Sequence, residues 1–118
     1  MEIAATSDHK WLFVAFREGW WAQLDLELEK CVERQAVLHA RTMGAFSTPT
    51  SIALSPDDQN FYIGTNTGSV ESYDVQSAKA WGVKEIPCQG LTKINVAPNN
   101  QFIFISSENG DLYKFDTG

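Results

Sequence analysis

Two cysteines and two histidines are all that this chain of 118 residues offers to disulfides, metals or imidazole chemistry. Cys31 and Cys88 sit far apart, outside any CxxC and without a histidine at ligand spacing, so two reduced thiols are expected rather than a bridge or a metal site. No cofactor is expected. No apolar run approaches the roughly 18 residues that a bilayer crossing needs. The start, Met1-Glu2-Ile3-Ala4-Ala5-Thr6-Ser7-Asp8, has neither the basic nor the apolar region of a secretory signal. A membrane span is therefore not expected, and the cytoplasm is the expected compartment. Basic residues are scarce too: 9 Lys and Arg, scattered singly, stand against 15 Asp and Glu, for a net charge of −6. Nucleic acid selects clustered Lys and Arg, so it is not an expected partner. No GxSxG, HExxH, P-loop or GxGxxG occurs.

What the chain does hold is core material. Apolar residues make up 43%, with seven Phe, four Trp and three Tyr, enough for one globular domain. That material is organised as a repeat. Ile3 to Asp25, Ile52 to Asp74 and Ile94 to Asp116 align without a gap, at offsets of 52 − 3 = 49 and 94 − 52 = 42. Gly19, Gly68 and Gly110 share one column, and Asp25, Asp74 and Asp116 share another. A period in the forties with strand-forming content is the sequence signature of propeller blades.

Each unit reads as strands. Ile52-Ala53-Leu54 is a short inner strand, and Ser55-Pro56-Asp57-Asp58-Gln59 a turn in which Pro56 presets φ and the Asp side chains bond local backbone. Asn60 to Gly64 is nearly all apolar, as in a strand covered on both faces. Thr67-Gly68, Glu18-Gly19 and Asn109-Gly110 mark hairpins in which Gly supplies a positive φ. In the next strand Val70, Ser72 and Asp74 point one way, Glu71 and Tyr73 the other. A fourth strand is expected over Arg34 to Arg41 in the first unit and Ala80 to Ile86 in the second. Between them, Leu24 to Arg34 is expected to be a solvated hairpin extension, and Thr42 to Pro49 a long loop. The predicted fold is all-β: propeller blades of four antiparallel strands, two complete (about 1–48 and 49–90) and a third, about 91–118, lacking its outer strand. Three such blades do not close a ring well. The chain is either an excerpt of a longer polypeptide or a protomer whose partners supply the remaining blades.

At these residues the chain resembles the WD-repeat β-propellers. Ser55-Pro56-Asp57-Asp58 looks like their Ser-Pro-Asp-Gly turn, and Leu24-Asp25, Tyr73-Asp74 and Phe115-Asp116 stand where the Trp-Asp pair would fall. None of the three has Trp before Asp, and Glu18, Thr67 and Asn109 replace the Asp of the turn between second and third strands. Pro49 to Asp57 is also similar to the Tyr-Val-Thr-Asn propellers, and Asp74 to Trp81 to the docking motif of quinoprotein propellers. Gly44 to Thr50, with Ile63 to Gly68, resembles the lethal-giant-larvae and tomosyn propellers.

Chemistry is thin. His9 falls in a polar turn and His39 beside Arg41, neither in a motif that pairs it with a nucleophile or metal. The three aligned Asp residues read as turn-shaping acceptors rather than a calcium ring. Binding reads better. By the resemblance, the loops between second and third strands share a rim with those joining one blade to the next. They offer Arg17, Glu18, Trp20, Met43, Phe46, Asn66, Thr67, Glu108 and Asn109 as candidate partner-binding residues. Trp20 stands out because its column holds the polar Ser69 and Asp111; Trp beside Arg is the composition of an interface anchor. The expected function is a non-catalytic scaffold whose blade loops bind partner proteins or peptides. A segment of a quinoprotein-like propeller enzyme or ligand sensor, or a self-assembling structural propeller, is the alternative.

Overall fold

The computed structural model describes residues 2–8, 10–16, 20–26, 30–36, 41–42, 45–46, 49–66, 68–77, 79–85 and 91–116. Thirteen strands are described: β1 (Glu2–Ala5), β2 (Trp11–Phe16), β3 (Trp20–Asp25), β4 (Lys30–Ala36), β5 (Arg41–Thr42), β6 (Ala45–Phe46), β7 (Pro49–Leu54), β8 (Asn60–Thr65), β9 (Ser69–Asp74), β10 (Ala80–Glu85), β11 (Leu91–Val96), β12 (Phe102–Ser107) and β13 (Leu112–Asp116). They form antiparallel sheets in the order β1-β2-β3-β4, β7-β8-β9-β10 and β11-β12-β13, plus the small hairpin β5-β6. The fold is all-β, two four-stranded blades followed by a three-stranded one. No described helix is long and apolar enough to cross a membrane.

Three local expectations change. The fourth strand of the first blade is Lys30–Ala36, not Arg34 to Arg41, and pairs with β3 through a bulge at Gln23/Leu24. Within the stretch expected to be a hairpin extension, Leu24 and Asp25 belong to β3 and Lys30 to Arg34 to β4, so these residues are paired strand. The third correction concerns Thr42 to Pro49, which holds the second strand of a hairpin, with Arg41 opposite Phe46 and Thr42 opposite Ala45.

The turns form as their residues require. Asp58 N–H donates to the Ser55 carbonyl (2.9 Å), and Asn100 N–H to that of Ala97 (2.9 Å), closing turns with Pro56 and Pro98 second. Asp58 and Asn100 then take φ of 58° and 62°, the left-handed region that Asx side chains tolerate best among non-glycine residues. Gly68 and Gly110 adopt φ of 97° and 89° at the next turn. Asp74 Oδ1 accepts the N–H groups of Gln76 (2.8 Å) and Ser77 (3.1 Å), shaping the turn into β10.

The core lies between the blades, in two layers. Phe13, Ala15 and Trp21 meet Ile52, Phe61, Ile63, Tyr73 and Val75 at the first junction. Tyr62 and Val70 meet Leu91, Ile94, Ile103 and Ile105 at the second. β8 alternates between them: Phe61 and Ile63 face backward, Tyr62 forward. That is why it reads as a continuous apolar run. Four rings fill the first junction, with Phe61 stacked between Phe13 (centroids 4.4 Å apart) and Tyr73 (4.9 Å), and Trp21 edge-on to both Phe61 and Tyr73. At the second, the backbone of Gly64 comes so close that a Cβ there would lie 2.7 Å from Leu91 Cδ2 and 2.8 Å from Ile94 Cδ1.

Candidate functional site

Antiparallel order puts the turns between first and second strands, and between third and fourth, on one rim of the stack. The turns between second and third strands occupy the other. On this second rim the side chains are held by hydroxyls that the next turn recruits. Thr65 Oγ1 accepts Ser69 N–H (3.2 Å), and Ser107 Oγ accepts Asp111 N–H (3.3 Å). Asn109, a predicted partner residue, uses its Oδ1 to accept from Ser107 Oγ and from Asp111 N–H (3.4 Å), so it is first a turn builder. It takes the place of the Asp that the WD-repeat pattern expects. Asn66 and Glu108 are exposed on the same rim. Trp20 opens β3 opposite Phe16, and Phe46 ends β6. Arg17, Glu18, Met43 and Thr67 lie outside the described residues, as do His9 and His39.

The opposite rim carries a feature that sequence reasoning treated as turn chemistry alone. A groove of about 320 Å³ opens between the first two blades, lined by Thr6, Asp8, Trp11, Asp57, Asp58 and Gln76 among others. Asp8 Oδ1 accepts from Thr6 Oγ1 (2.6 Å) and Lys10 N–H (3.0 Å). One blade on, Asp57 Oδ1 accepts from Ser55 Oγ (2.5 Å) and Gln59 N–H (3.1 Å). Hydrogen bonds from those hydroxyls first, and from the backbone second, hold both carboxyls below the usual range, so both are ionised at neutral pH. The equal spacing of Asp8 and Asp57 in the repeat was the available signal; that the two would share one groove was not.

The same turns tie blade to blade. Asp58 accepts Ser7 N–H (3.0 Å) and Ser7 Oγ–H, and Asn100 accepts Asp57 N–H (3.4 Å). The donor moves one place because the residue equivalent to Ser7 is Pro56, which has no N–H. Deeper in, Ser51 Oγ accepts Ile94 N–H across the second junction (3.1 Å).

These turns predict an acid response. A carboxylate whose folded pKa is lowered contributes stability that is present above its unfolded value near 3.8 and is lost as pH falls through the folded one. The double variant Asp8→Asn, Asp57→Asn should therefore show a flatter fall of melting temperature than the parent as the pH drops below about 4. Parallel curves for the two proteins would contradict this.

Among the described residues no three His, Cys, Asp or Glu side chains converge to hold a metal. Glu71 is fully buried and receives the Tyr73 hydroxyl at the first junction, a position with no access for a substrate. Trp81 is half exposed on β10, its Nε1–H donating to Asn60 Oδ1 (3.1 Å), so the docking-like motif pins the outer strand to its own blade.

No family model matches the chain. Its structure is similar to that of Kuenenia stuttgartiensis hydrazine synthase (TM-score 0.85, 18% identity), covering 99% of this chain and 32% of that one. It is similar to the crystal structure of the RRP9 WD40 repeats (TM-score 0.86, 13% identity; 98% and 34% covered) and to U3-55K (TM-score 0.86, 12% identity; 98% and 35% covered). The chain thus spans about a third of the length of each of these structures. Sheets, register and superposition agree: the fold is that of β-propeller blades, three in succession.

Proposed function

We propose that the chain is a non-catalytic interaction scaffold, with partner proteins or peptides held by the loops on the rim of Asn66 and Glu108. One observation carries this reading. The polar groups that recur from blade to blade (the turn hydroxyls, Asp8, Asp57 and Asp74) are engaged in building turns. Side-chain character at the 2–3 loops, by contrast, changes at every blade: Arg17-Glu18-Gly19-Trp20, Asn66-Thr67-Gly68-Ser69 and Glu108-Asn109-Gly110-Asp111. A framework that repeats under loops that differ is how rigid folds carry recognition. In this reading Arg17, Glu18, Trp20, Met43, Phe46, Asn66, Thr67, Glu108 and Asn109 make up the contact surface, and further blades in cis or from other protomers extend it. The partners are proteins, and the compartment is the cytoplasm.

A second reading, part of a propeller enzyme or ligand sensor, draws its support from the similarity to Kuenenia stuttgartiensis hydrazine synthase. Panning a displayed peptide library against the chain separates the two. The scaffold reading expects enriched peptides that Trp20→Ala weakens by about 30-fold, a hot-spot loss of about 2 kcal/mol, with the melting temperature almost unchanged. A drop of many degrees in that variant would show Trp20 to be packing, and an absence of enriched peptides would remove the scaffold reading.

A further inference from the structure

We propose that Asn109 is a modification site: its side-chain amide is hydrolysed through attack by the Gly110 nitrogen, and the aspartate so formed keeps the turn that Asn109 builds. The inference does not rest on the partner reading above, because it concerns the covalent fate of one side chain.

Of the six asparagines in the chain, Asn109 alone is followed by glycine. A glycine nitrogen is the least shielded nucleophile that a backbone offers, since no Cβ stands beside it. Both residues are exposed, and a Cβ built on Gly110 meets nothing within 4 Å. The amide is held by one end alone. Its Oδ1 accepts from Ser107 Oγ and from Asp111 N–H (3.4 Å), whereas Nδ2, the leaving group, donates to no group among the described residues. Two donors on that oxygen draw electron density from Cγ and stabilise the oxyanion that forms when a nucleophile adds there. One bond opposes the attack. Gly110 N–H donates to the Ser107 carbonyl (3.1 Å), so the nitrogen is engaged until the hairpin tip opens.

The step needs no reagent but water. Gly110 N gives its proton to solvent and bonds to Asn109 Cγ. The Cγ–Nδ2 bond then breaks, and that nitrogen takes a proton and departs as ammonia. Water opens the resulting cyclic imide. Addition at Cγ returns a proton to Gly110 N and leaves aspartate in an unaltered backbone. Addition at the main-chain carbonyl carbon leaves isoaspartate, whose backbone is longer by one carbon.

Two other turns of this chain show that a carboxylate suits the same cradle. In Ser107-Asn109-Asp111 a hydroxyl, an acceptor two residues on and an N–H four residues on form one arrangement. Thr6-Asp8-Lys10 and Ser55-Asp57-Gln59 form it with aspartate in the middle. Deamidation gives the third turn the side chain that these two already have, and an ionised acceptor strengthens both hydrogen bonds. Glu108 and Asp111 flank the site, but both are exposed, so water and salt screen their repulsion. The rim gains one negative charge.

The test is peptide mapping by mass spectrometry of the 118-residue chain, aged at physiological temperature and pH. We expect acid to accumulate at residue 109 ahead of the other asparagines. Accumulation should be at least about twofold slower in the folded chain than in the same chain held in concentrated urea, the factor that one net hydrogen bond supplies. Asn109→Asp, the product made directly, should keep the far-UV circular dichroism of the parent and melt no lower. Another asparagine reacting first would overturn the proposal, as would a folded chain that reacts as fast as the unfolded one. So would a melting temperature several degrees lower in Asn109→Asp, which would show that the turn does not accept the carboxylate.

Discussion

Replacing Trp21 with alanine should lower the unfolding free energy by about 3–5 kcal/mol, the range for deleting a fully buried aromatic side chain. Trp21 has no exposed surface and stands edge-on to Phe61 and Tyr73, at 5.0 and 5.2 Å between ring centroids. Its removal opens a cavity between the first two blades, and rings locked in mutual stacks cannot collapse to fill it. The indole Nε1 has no hydrogen-bond partner among the described residues, so the substitution forfeits packing and no hydrogen bond there. Against a total stability of about 5–15 kcal/mol for a domain, the variant should be largely unfolded at moderate urea concentrations where the parent is folded. Trp21→Phe should recover most of the loss. An unchanged urea midpoint for the alanine variant would mean that the blades do not pack through these rings.

Gly64→Val should be the second severe variant, costing about 1–3 kcal/mol or more by overpacking. The first side-chain atom alone would press on Leu91 Cδ2 and Ile94 Cδ1, and the two methyls of valine would have to enter the same gap. Gly64→Ala asks less, because the crowding atoms are the tips of flexible side chains. Gly82, on the outer strand of the same blade, has nothing within 4 Å of a built Cβ. There Ala should be neutral, or stabilising by about 0.4–1 kcal/mol through the unfolded chain. Measured by urea unfolding, the three glycine variants should rank Gly82→Ala, Gly64→Ala, Gly64→Val in decreasing stability. An equal effect at Gly64 and Gly82 would argue against the close approach of the second and third blades.

Much of this architecture was legible in the chain because local chemistry and repeat agree. Pro56 and Pro98 lie at the second position of turns that need their φ, Gly68 and Gly110 take the positive φ of the hairpins, and Asp74 caps the turn after its strand. Trp21 was recognisable as core from the apolar column it shares with Val70 and Leu112. The first blade's fourth strand was misplaced for a physical reason. Lys30, Glu33 and Arg34 make this stretch rich in charge, and a strand so composed has no clean apolar alternation to announce it. Glu71 gave no sign of being fully buried: a carboxylate in a strand reads as solvent-facing until a neighbouring sheet covers it and a tyrosine hydroxyl meets it.

The order of residues by itself determined strand chemistry, turn positions and the three-fold repeat, because each depends on groups within a few positions of one another. Which faces meet, that Gly64 must remain bare, and that Asp8 and Asp57 share a groove were decided only when the sheets stacked. Those outcomes depend on the distance between residues some thirty to fifty positions apart, and spacing along a chain does not specify how closely two sheets approach.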